Sequence, residues 1–462
     1  MSFMMKTLER LILWHIQDNQ MFLRPTTDNL FSYKEGVSTE TALHKVTYKI
    51  EEAFEKKQFA LAVFLDISGA FSNTAISSMV RNLAEKGVER EIVKWIADML
   101  SNRTAVAKIG DTGYERKIDT GVAEGGILSP PLFNNVMSEG IERVDNTCDV
   151  DIFGYADDVM ILRAGCDLPR VQDQVQQALN ELENWAGENN LKFNVEKTKA
   201  VLFTRKYKFT EPTITLDGKN IEFVSSFKYL GVIFDKKLKW NEHVKVQAKK
   251  AKAALMIGRR MVGHNWGLNP KTTHWLYTAI VRPVLTYGYV VWTTSLEEKG
   301  NNNILTKVQR LACKMITGCM HSTPTAGMEI LLGLKPIELE LEAASLMTSI
   351  RLERSKHWIN EGILTKSHVN RLDEMKEGMP ELQYPQDKSI KKVRMKNSFE
   401  TVIGSRKEYA KKLIKPRPLG GLDVNCFTDG SKTDNGAGAA YIMMGNDDDW
   451  RIFKRQEFIH LG

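Results

Sequence analysis

Apolar positions along the chain follow two different spacings. From Ser38, a helix-capping residue, the stretch STETALHKVTYKIEEAF places Leu43, Val46, Ile50 and Ala53 on one stripe, which predicts an amphipathic helix. The spacing then closes up. FALAVFL, Phe59 to Leu65, is continuously apolar, as expected of a short strand buried on both faces, and it ends at Asp66. Helical spacing returns over Ala75 to Lys86, closed by Gly87, and over Glu89 to Leu100, after which TAVAKIG and YERKID read as strands. Glycine-rich TGVAEGGILSPPLF, Thr120 to Phe133, leads into a further helix. Val171, Val175, Leu179 and Leu182 mark another that runs to Trp185, with Pro169 near its start. KAVLFTR is strand-like, and ITLDGKNIEF reads as a hairpin turned at Asp217-Gly218. Strands interleaved with helices over about 230 residues imply an α+β domain with a mainly antiparallel sheet. Beyond Lys236 the pattern becomes helical through about Leu346.

FGYADDVMIL, Phe153 to Leu162, sets Asp157 and Asp158 side by side between apolar runs. Neighbouring side chains on a straight strand point to opposite faces, so serving one site requires a turn. With Phe153 to Tyr155 as one strand and Val159 to Leu162 as the next, Ala156 to Asp158 becomes a hairpin tip, where Asp tolerates the backbone. Two carboxylates so close call for a neutralising cation, which suggests a divalent metal; a solvated turn is the other reading.

Length and composition set outer limits. The 462 residues suffice for two or three domains, and 42% hydrophobic with 26% charged residues match folded globular protein. No apolar run approaches the roughly 20 residues of a membrane helix, and LILWHIQ is too short and too polar at its ends for a signal peptide. The chain is expected to be intracellular, nuclear or cytoplasmic, without a membrane. Its five cysteines lack metal spacing and read as thiols of a reducing compartment. A net charge of +7 points only weakly to a polyanion, but the cations cluster. Between Asp235 and Arg260, Trp240, Val244, Ala248, Ala251 and Leu255 fall on one helical face while Lys245, Lys249 and Lys252 fall on others. Such a face is either simply solvated or in contact with phosphates. From about residue 356 to 420 the chain is charged and carries Pro380, Pro385, Pro416 and Pro418, reading as a linker with some helix. NCFTDGSKTDNGAGAAYIM then suggests the first hairpin of another domain.

An aspartate ending a buried strand (Asp66), a glycine-rich connection (Gly121, Gly125, Gly126) and a two-aspartate hairpin follow one another in order. Together they suggest a phosphoryl-transfer site, where carboxylates from separate segments converge on two metal ions about 3.5–4 Å apart. At this point the sequence resembles the reverse transcriptases of non-LTR (LINE-like) retrotransposons. AVFLDISGAFSN resembles polymerase motif A, GVAEGGILSPPLFN motif B, FGYADDVMIL motif C, LKFNVEKTKAVLFTR motif D and FKYLGVIFDKKLKW motif E, with SYKEGVSTETAL similar to the fingers segment. CFTDGSKTDNGAGAAYIM resembles the opening hairpin of ribonuclease H.

The resemblance implies an α+β right-hand polymerase: partial fingers over 1–58, a palm with an antiparallel sheet over 59–235, and a helical thumb and connection over 236–355. A charged linker over 356–420 and a truncated ribonuclease H-like domain over 421–462 would follow. It implies an RNA-directed DNA polymerase that extends a DNA primer on an RNA template with deoxynucleoside triphosphates and two Mg2+ ions. Asp66, Asp157 and Asp158 would hold the metals. Lys197 would pass a proton to the pyrophosphate, and Phe71 would pack under the nucleotide sugar and reject a 2′-hydroxyl. Glu124, Gly125, Tyr155 and Lys34 complete the expected nucleotide-binding set. Tyr229, Leu230 and Gly231 belong to the expected primer grip, with Lys245, Lys249 and Lys252 along the duplex backbone. Asp429 would be the first metal-binding acid of ribonuclease H. Departures from the family pattern are Ala123-Glu124 where Pro-Gln is usual, and Lys34, a point charge, where arginine is common. The family's Arg-Pro-Ile segment and its upstream endonuclease would both precede SFMMKTLER, so the expectation is a piece of an element trimmed at both ends. A catalytically silent relic that retains the fold is the alternative.

Overall fold

The run Phe59–Asp66 becomes the middle strand of a five-stranded sheet in the computed structural model. The structure describes residues 3–18, 27–110, 112–263, 266–360 and 364–379, together with the backbone of 424–433 and 436–445. Across the sheet the order is Asp151–Tyr155, Asp158–Gly165, Phe59–Asp66, Lys199–Phe203 and Glu222–Phe223. The first three junctions are antiparallel, but Lys199–Phe203 pairs in parallel with the short edge strand Glu222–Phe223. The sheet is therefore mainly antiparallel, as expected, with one parallel pair at its edge that the sequence did not announce. After Lys199–Phe203 the chain makes a small hairpin, turned at Asp217 (φ +50) and Gly218 (φ +68), and re-enters the edge in the same direction.

Alternation along the middle strand explains the layers. Leu61, Val63 and Leu65 face one core, shared with Val159 and Ile161 and covered by the helices Ile76–Glu85, Arg90–Ser101, Ser129–Thr147 and Leu168–Glu188. Ala60, Ala62 and Phe64 face the other, shared with Met160 and Leu162 and covered by Thr39–Glu55 and by helices from Asn241–Arg259 onward. A strand clad in helices on both faces has no polar side to show, hence the unbroken apolar run.

The amphipathic reading of Asn241–Arg259 is borne out: Trp240 precedes it and Val244, Ala248, Ala251 and Leu255 are buried, while Lys245, Lys249 and Lys252 are exposed. Among the described residues no helix is long and apolar enough to cross a membrane.

Residues 364–379, expected as part of a charged linker, form the helix His368–Glu377 and bury Val369, Leu372 and His368. A buried polar chain fixes this helix to Thr39–Glu55. His368 bonds Glu51 Oε2 through Nδ1 at 2.6 Å and His44 Nδ1 through Nε2 at 2.8 Å, and the backbone N–H of Ile359 donates to His44 Nε2. That last bond makes Nε2 of His44 an acceptor, so its Nδ1 carries the proton and donates to His368. Trp358 stacks on His44 at 4.4 Å. The charged residues Lys376, Glu353 and Asp373 lie at the rim of this packing, which is why composition alone reads as linker.

The chain divides into two units, residues 1–386 and 387–462. In the second, Val424–Thr433 and Gly436–Gly445 form the expected antiparallel hairpin, with Asp429 opposite Ala440. The Asp429 side chain, and residues 380–420 of the expected linker, lie outside the described residues.

Candidate active site

Asp66 and Asp158 are direct cross-strand partners in the antiparallel ladder. Both carry the parity of Phe64 and Met160, so both belong to the face that looks toward Thr39–Glu55 and Asn241–Arg259. Tyr155 pairs with Asp158 on the other side, leaving Ala156 and Asp157 as a two-residue loop. Positive φ at the first loop position and not the second is the II′ pattern, whose twist suits a hairpin. Here Ala156 takes it, at φ +54, and not an aspartate as expected from turn chemistry. The residue freed from that duty is Asp157, which stands exposed at the tip.

The electrostatics record the crowding. Burial pushes the Asp158 carboxyl up to about 6, and the charges of Asp157 and then Asp66 add to it. Although Asp158 itself touches solvent, the protein behind it removes much of its hydration. Asp66 meets a cation instead: Lys197 Nζ lies 3.4 Å from its Oδ2. Lys197 arrives there because 192–198 runs beside the end of the strand. The Ser68 N–H donates to Lys192 O, the Asn194 N–H to Asp66 O, and Asn194 Oδ1 accepts from Lys197 N to close the turn.

Among the described residues no three His, Cys, Asp or Glu side chains form a ready-made metal cage. The donor set still fits a hard dication. Carboxylates whose mutual repulsion raises a pKa gain from a cation between them, and Mg2+ characteristically takes one or two carboxylates plus substrate phosphates and waters.

The glycine-rich connection docks on the loop that follows Asp66. Gly121 N–H donates to Thr74 O and Val122 N–H to Phe71 O, both at 2.8 Å. A Cβ on Gly121 would lie 2.4 Å from the Phe71 and Ser72 carbonyl oxygens, so close approach demands glycine there. Arg103 clamps the Thr120 and Gly121 carbonyls from behind. Glu124 and Gly125 are exposed on the crest of this loop. Phe71 is half-buried, stacked on Phe133 at 4.5 Å with Tyr33 edge-on at 6.5 Å.

Other expected residues land differently. Tyr155 is half-buried beside the hairpin, its phenol raised by burial and then by Tyr287. Lys34 is held by Asp28 at 3.2 Å. Tyr229 corrects its expected contact role: only 3% exposed, it packs against Phe64 and Phe234, and burial first and Asp158 second raise its phenol. Leu230 and Gly231 form the adjacent hairpin tip at φ +44 and +85, and Tyr287 donates to Leu230 O at 2.9 Å.

Three residues went unnoticed in the sequence. Glu9 is 1% exposed, and its Oε2 accepts from Ile127 N and Leu128 N, capping the helix Ser129–Thr147. Tyr287 fastens the Leu230 tip. Tyr33 stands perpendicular to Phe71. Nothing local marks them, since each acts on a segment distant in the chain.

Comparison with known proteins agrees with this geometry. The family described as reverse transcriptase (RNA-dependent DNA polymerase) matches residues 1–234. A 115 kDa protein of the type-1 retrotransposable element R1DM of Drosophila melanogaster is 25% identical over 327 residues, 70% of this chain and 31% of that protein. The RNA-directed DNA polymerase from mobile element jockey of the same species is 27% identical over 334 residues, 70% of this chain and 36% of the relative. The jockey polymerase of Drosophila funebris is 26% identical over 316 residues, 67% and 34% of the two chains. The chain thus spans about a third of the length of these relatives. Apo telomerase from Candida tropicalis overlaps 80% of this chain and 60% of its own at 10% identity, with a TM-score of 0.38, a likeness too weak to argue from. With a match over half its length to one family and carboxylates gathered at the turn of its YADD hairpin, the chain belongs to the reverse transcriptase family.

Proposed function

We propose that this chain is the polymerase part of a non-LTR retrotransposon reverse transcriptase, extending a DNA primer on an RNA template with deoxynucleoside triphosphates. The observation that carries the reading is the direct pairing of Asp66 with Asp158, with Asp157 on the adjoining tip. In this reading the sheet is the palm of a right-hand polymerase, the helices from Asn241 onward are the thumb, and the Leu230–Gly231 tip is the primer grip.

Asp66, Asp157 and Asp158 would hold two Mg2+ ions, which when bound would polarise the primer hydroxyl and offset the charge of the leaving pyrophosphate. The protein's part is positioning and charge. The two-residue turn holds Asp157 beside Asp158, and the ladder fixes Asp66 across from it. Lys197, whose Nζ lies 3.4 Å from Asp66 Oδ2, would give a proton to a pyrophosphate oxygen. Phe71 would lie under the incoming sugar, with the Glu124–Gly125 crest beside the template base. Leu230 and Gly231 would steady the primer end, and Lys245, Lys249 and Lys252 would meet duplex phosphates. Glu124 and Lys34 remain in the nucleotide-binding set, although Lys34 must leave Asp28 to reach a triphosphate.

The test is primer extension. Purified protein with an RNA template, a DNA primer, deoxynucleotides and Mg2+ should extend the primer, and Asp157→Asn should abolish this. Bound hybrid with no extension by the wild-type chain would refute the proposal.

A further inference from the structure

The approach of Tyr33 to Phe71 has several separate supports. The backbone of Asn29–Phe31 adds to the free edge of Asp151–Tyr155: Gly154 N–H donates to Asn29 O and Phe31 N–H to Gly154 O, both at 2.9 Å. Gly154 allows this, since a Cβ there would meet Leu30 Cδ1 at 2.9 Å and Ile141 Cδ1 at 2.5 Å. The next residue is locked too. Ser32 and Asn134 are buried, and they exchange two bonds: Ser32 Oγ donates to Asn134 Oδ1 at 2.6 Å, and Asn134 Nδ2 donates to Ser32 O at 2.7 Å. Asn134 follows Phe133, the ring on which Phe71 stacks. One helix turn therefore fixes both the floor beneath Phe71 and the backbone that carries Tyr33.

Tyr33 itself is unusual. It sits at φ +52, a region L residues with large side chains rarely adopt, and the residue is 56% exposed. Strain of this kind, maintained by buried bonds on one side, is a feature of sites rather than of cores. Its ring is perpendicular to Phe71, at 90° and 6.5 Å between centroids, while Phe71 lies nearly parallel to Phe133 at 27°. Phe71 thus has Phe133 stacked against it and the Tyr33 ring standing perpendicular to it. The Tyr33 phenol also lies within reach of the Asp157 charge.

We propose that Tyr33 is a positioning residue for sugar selection, fixing the Phe71 ring so that a ribonucleotide's 2′-hydroxyl meets it and a deoxyribonucleotide does not. The inference rests on the polymerase reading above. A ring rejects a hydroxyl only as firmly as its own position is fixed, because a ring free to tilt relieves the clash. Discrimination is the ratio of kcat/KM values for the two nucleotides, so loosening the ring lowers it chiefly through faster ribonucleotide use.

The experiment measures kcat/KM for dATP and ATP on a primed RNA template with wild type, Tyr33→Ala, Tyr33→Phe, Phe71→Ala and the Tyr33→Ala/Phe71→Ala pair. Tyr33→Ala should lower the dATP preference about three- to tenfold, the range of one aromatic pair, with the KM for dATP little changed. Tyr33→Phe should restore wild-type preference, because the ring and not the hydroxyl does the holding. Phe71→Ala should lower it further, and adding Tyr33→Ala to it should change nothing more. An unchanged preference in Tyr33→Ala, or a full additive effect in the pair, overturns the inference while leaving the polymerase reading intact. If Tyr33→Ala loses helicity, Tyr33→Leu takes its place with the same expectation. If the wild type extends nothing, the polymerase reading fails by itself. Calorimetric affinities for dATP and ATP with primed template and Mg2+ are then compared between wild type and Tyr33→Ala, and an unchanged ratio of the two affinities overturns the inference.

Discussion

Lys197 Nζ lies 3.4 Å from Asp66 Oδ2, at the end of the strand whose last residue pairs with Asp158. One cation thus offsets one of three neighbouring carboxylates, and Asp158 is left with its pKa pushed up to about 6.

Asp158→Asn should therefore stabilise the chain at pH 7.5 while abolishing primer extension. The carboxylate touches solvent, so screening shrinks the gain, and a rise in Tm of about 1–2 °C is expected. Added Mg2+ should raise the Tm of the wild type and not of this variant. Calorimetry with and without Mg2+ checks both, and equal Mg2+ responses would count against a metal at these aspartates.

Acid should destabilise the fold. Burial, and then the Lys250 charge, push the His243 pKa down to about 4, and His44 is held well below its usual value by burial, then by His368, Lys376 and His357. Both stay neutral when folded, whereas the unfolded chain takes up these protons as the pH falls through about 6.5. The unfolded state then binds more protons, so stability present at neutral pH is lost between about 6.5 and 4. Asp158 has the opposite sign: its folded pKa is raised, so the folded chain protonates first, and stability falls as pH rises from about 4 to 6. Glu40 and Asp145, raised chiefly by burial, share the sign of Asp158, but all three carboxyls touch solvent and the two buried imidazoles outweigh them. Tm should be lower at pH 5 than at pH 7.5, and His243→Asn should narrow the gap; a gap that persists in full speaks against this assignment.

Glu9 caps a helix it does not belong to. Its carboxylate accepts from Ile127 and Leu128 at 2.5 and 3.2 Å, at the positive end of Ser129–Thr147. Glu9→Ala should cost about 1–2 kcal/mol in chemical denaturation, and Glu9→Gln, which retains one acceptor, should cost less. Equal losses would assign the effect to packing.

Lys249 and Lys252 are exposed on Asn241–Arg259. If they meet duplex phosphates, replacing both with Ala should lower the slope of log K against log salt by about 2. Binding of an RNA–DNA hybrid at several salt concentrations measures this, and an unaltered slope removes the helix from the interface.

Much of the site was legible in the sequence, and the failures share a cause. Asp66 ending a buried run, the paired aspartates and the lysine face of Asn241–Arg259 all express local periodicity. Tyr229, expected in the primer grip by resemblance alone, is buried because a motif does not say which of its side chains a second layer covers; here Phe64 and Phe234 pack against it. Residues 364–379 read as linker because their charges lie at the rim, while the His44–His368–Glu51 chain that anchors them joins segments far apart in sequence.

By itself the sequence determined the order of strands and helices, a hairpin tip within Ala156 to Asp158 and the acidic residues, because spacing and turn chemistry act between near neighbours. Only the tertiary structure decided that Asp66 stands opposite Asp158, that the last sheet strand runs parallel, and that Tyr33, Glu9 and Tyr287 brace loops remote from them in the chain. Those facts depend on which surfaces pack together, and pairing between distant segments is set by the whole core and not by any one stretch of it.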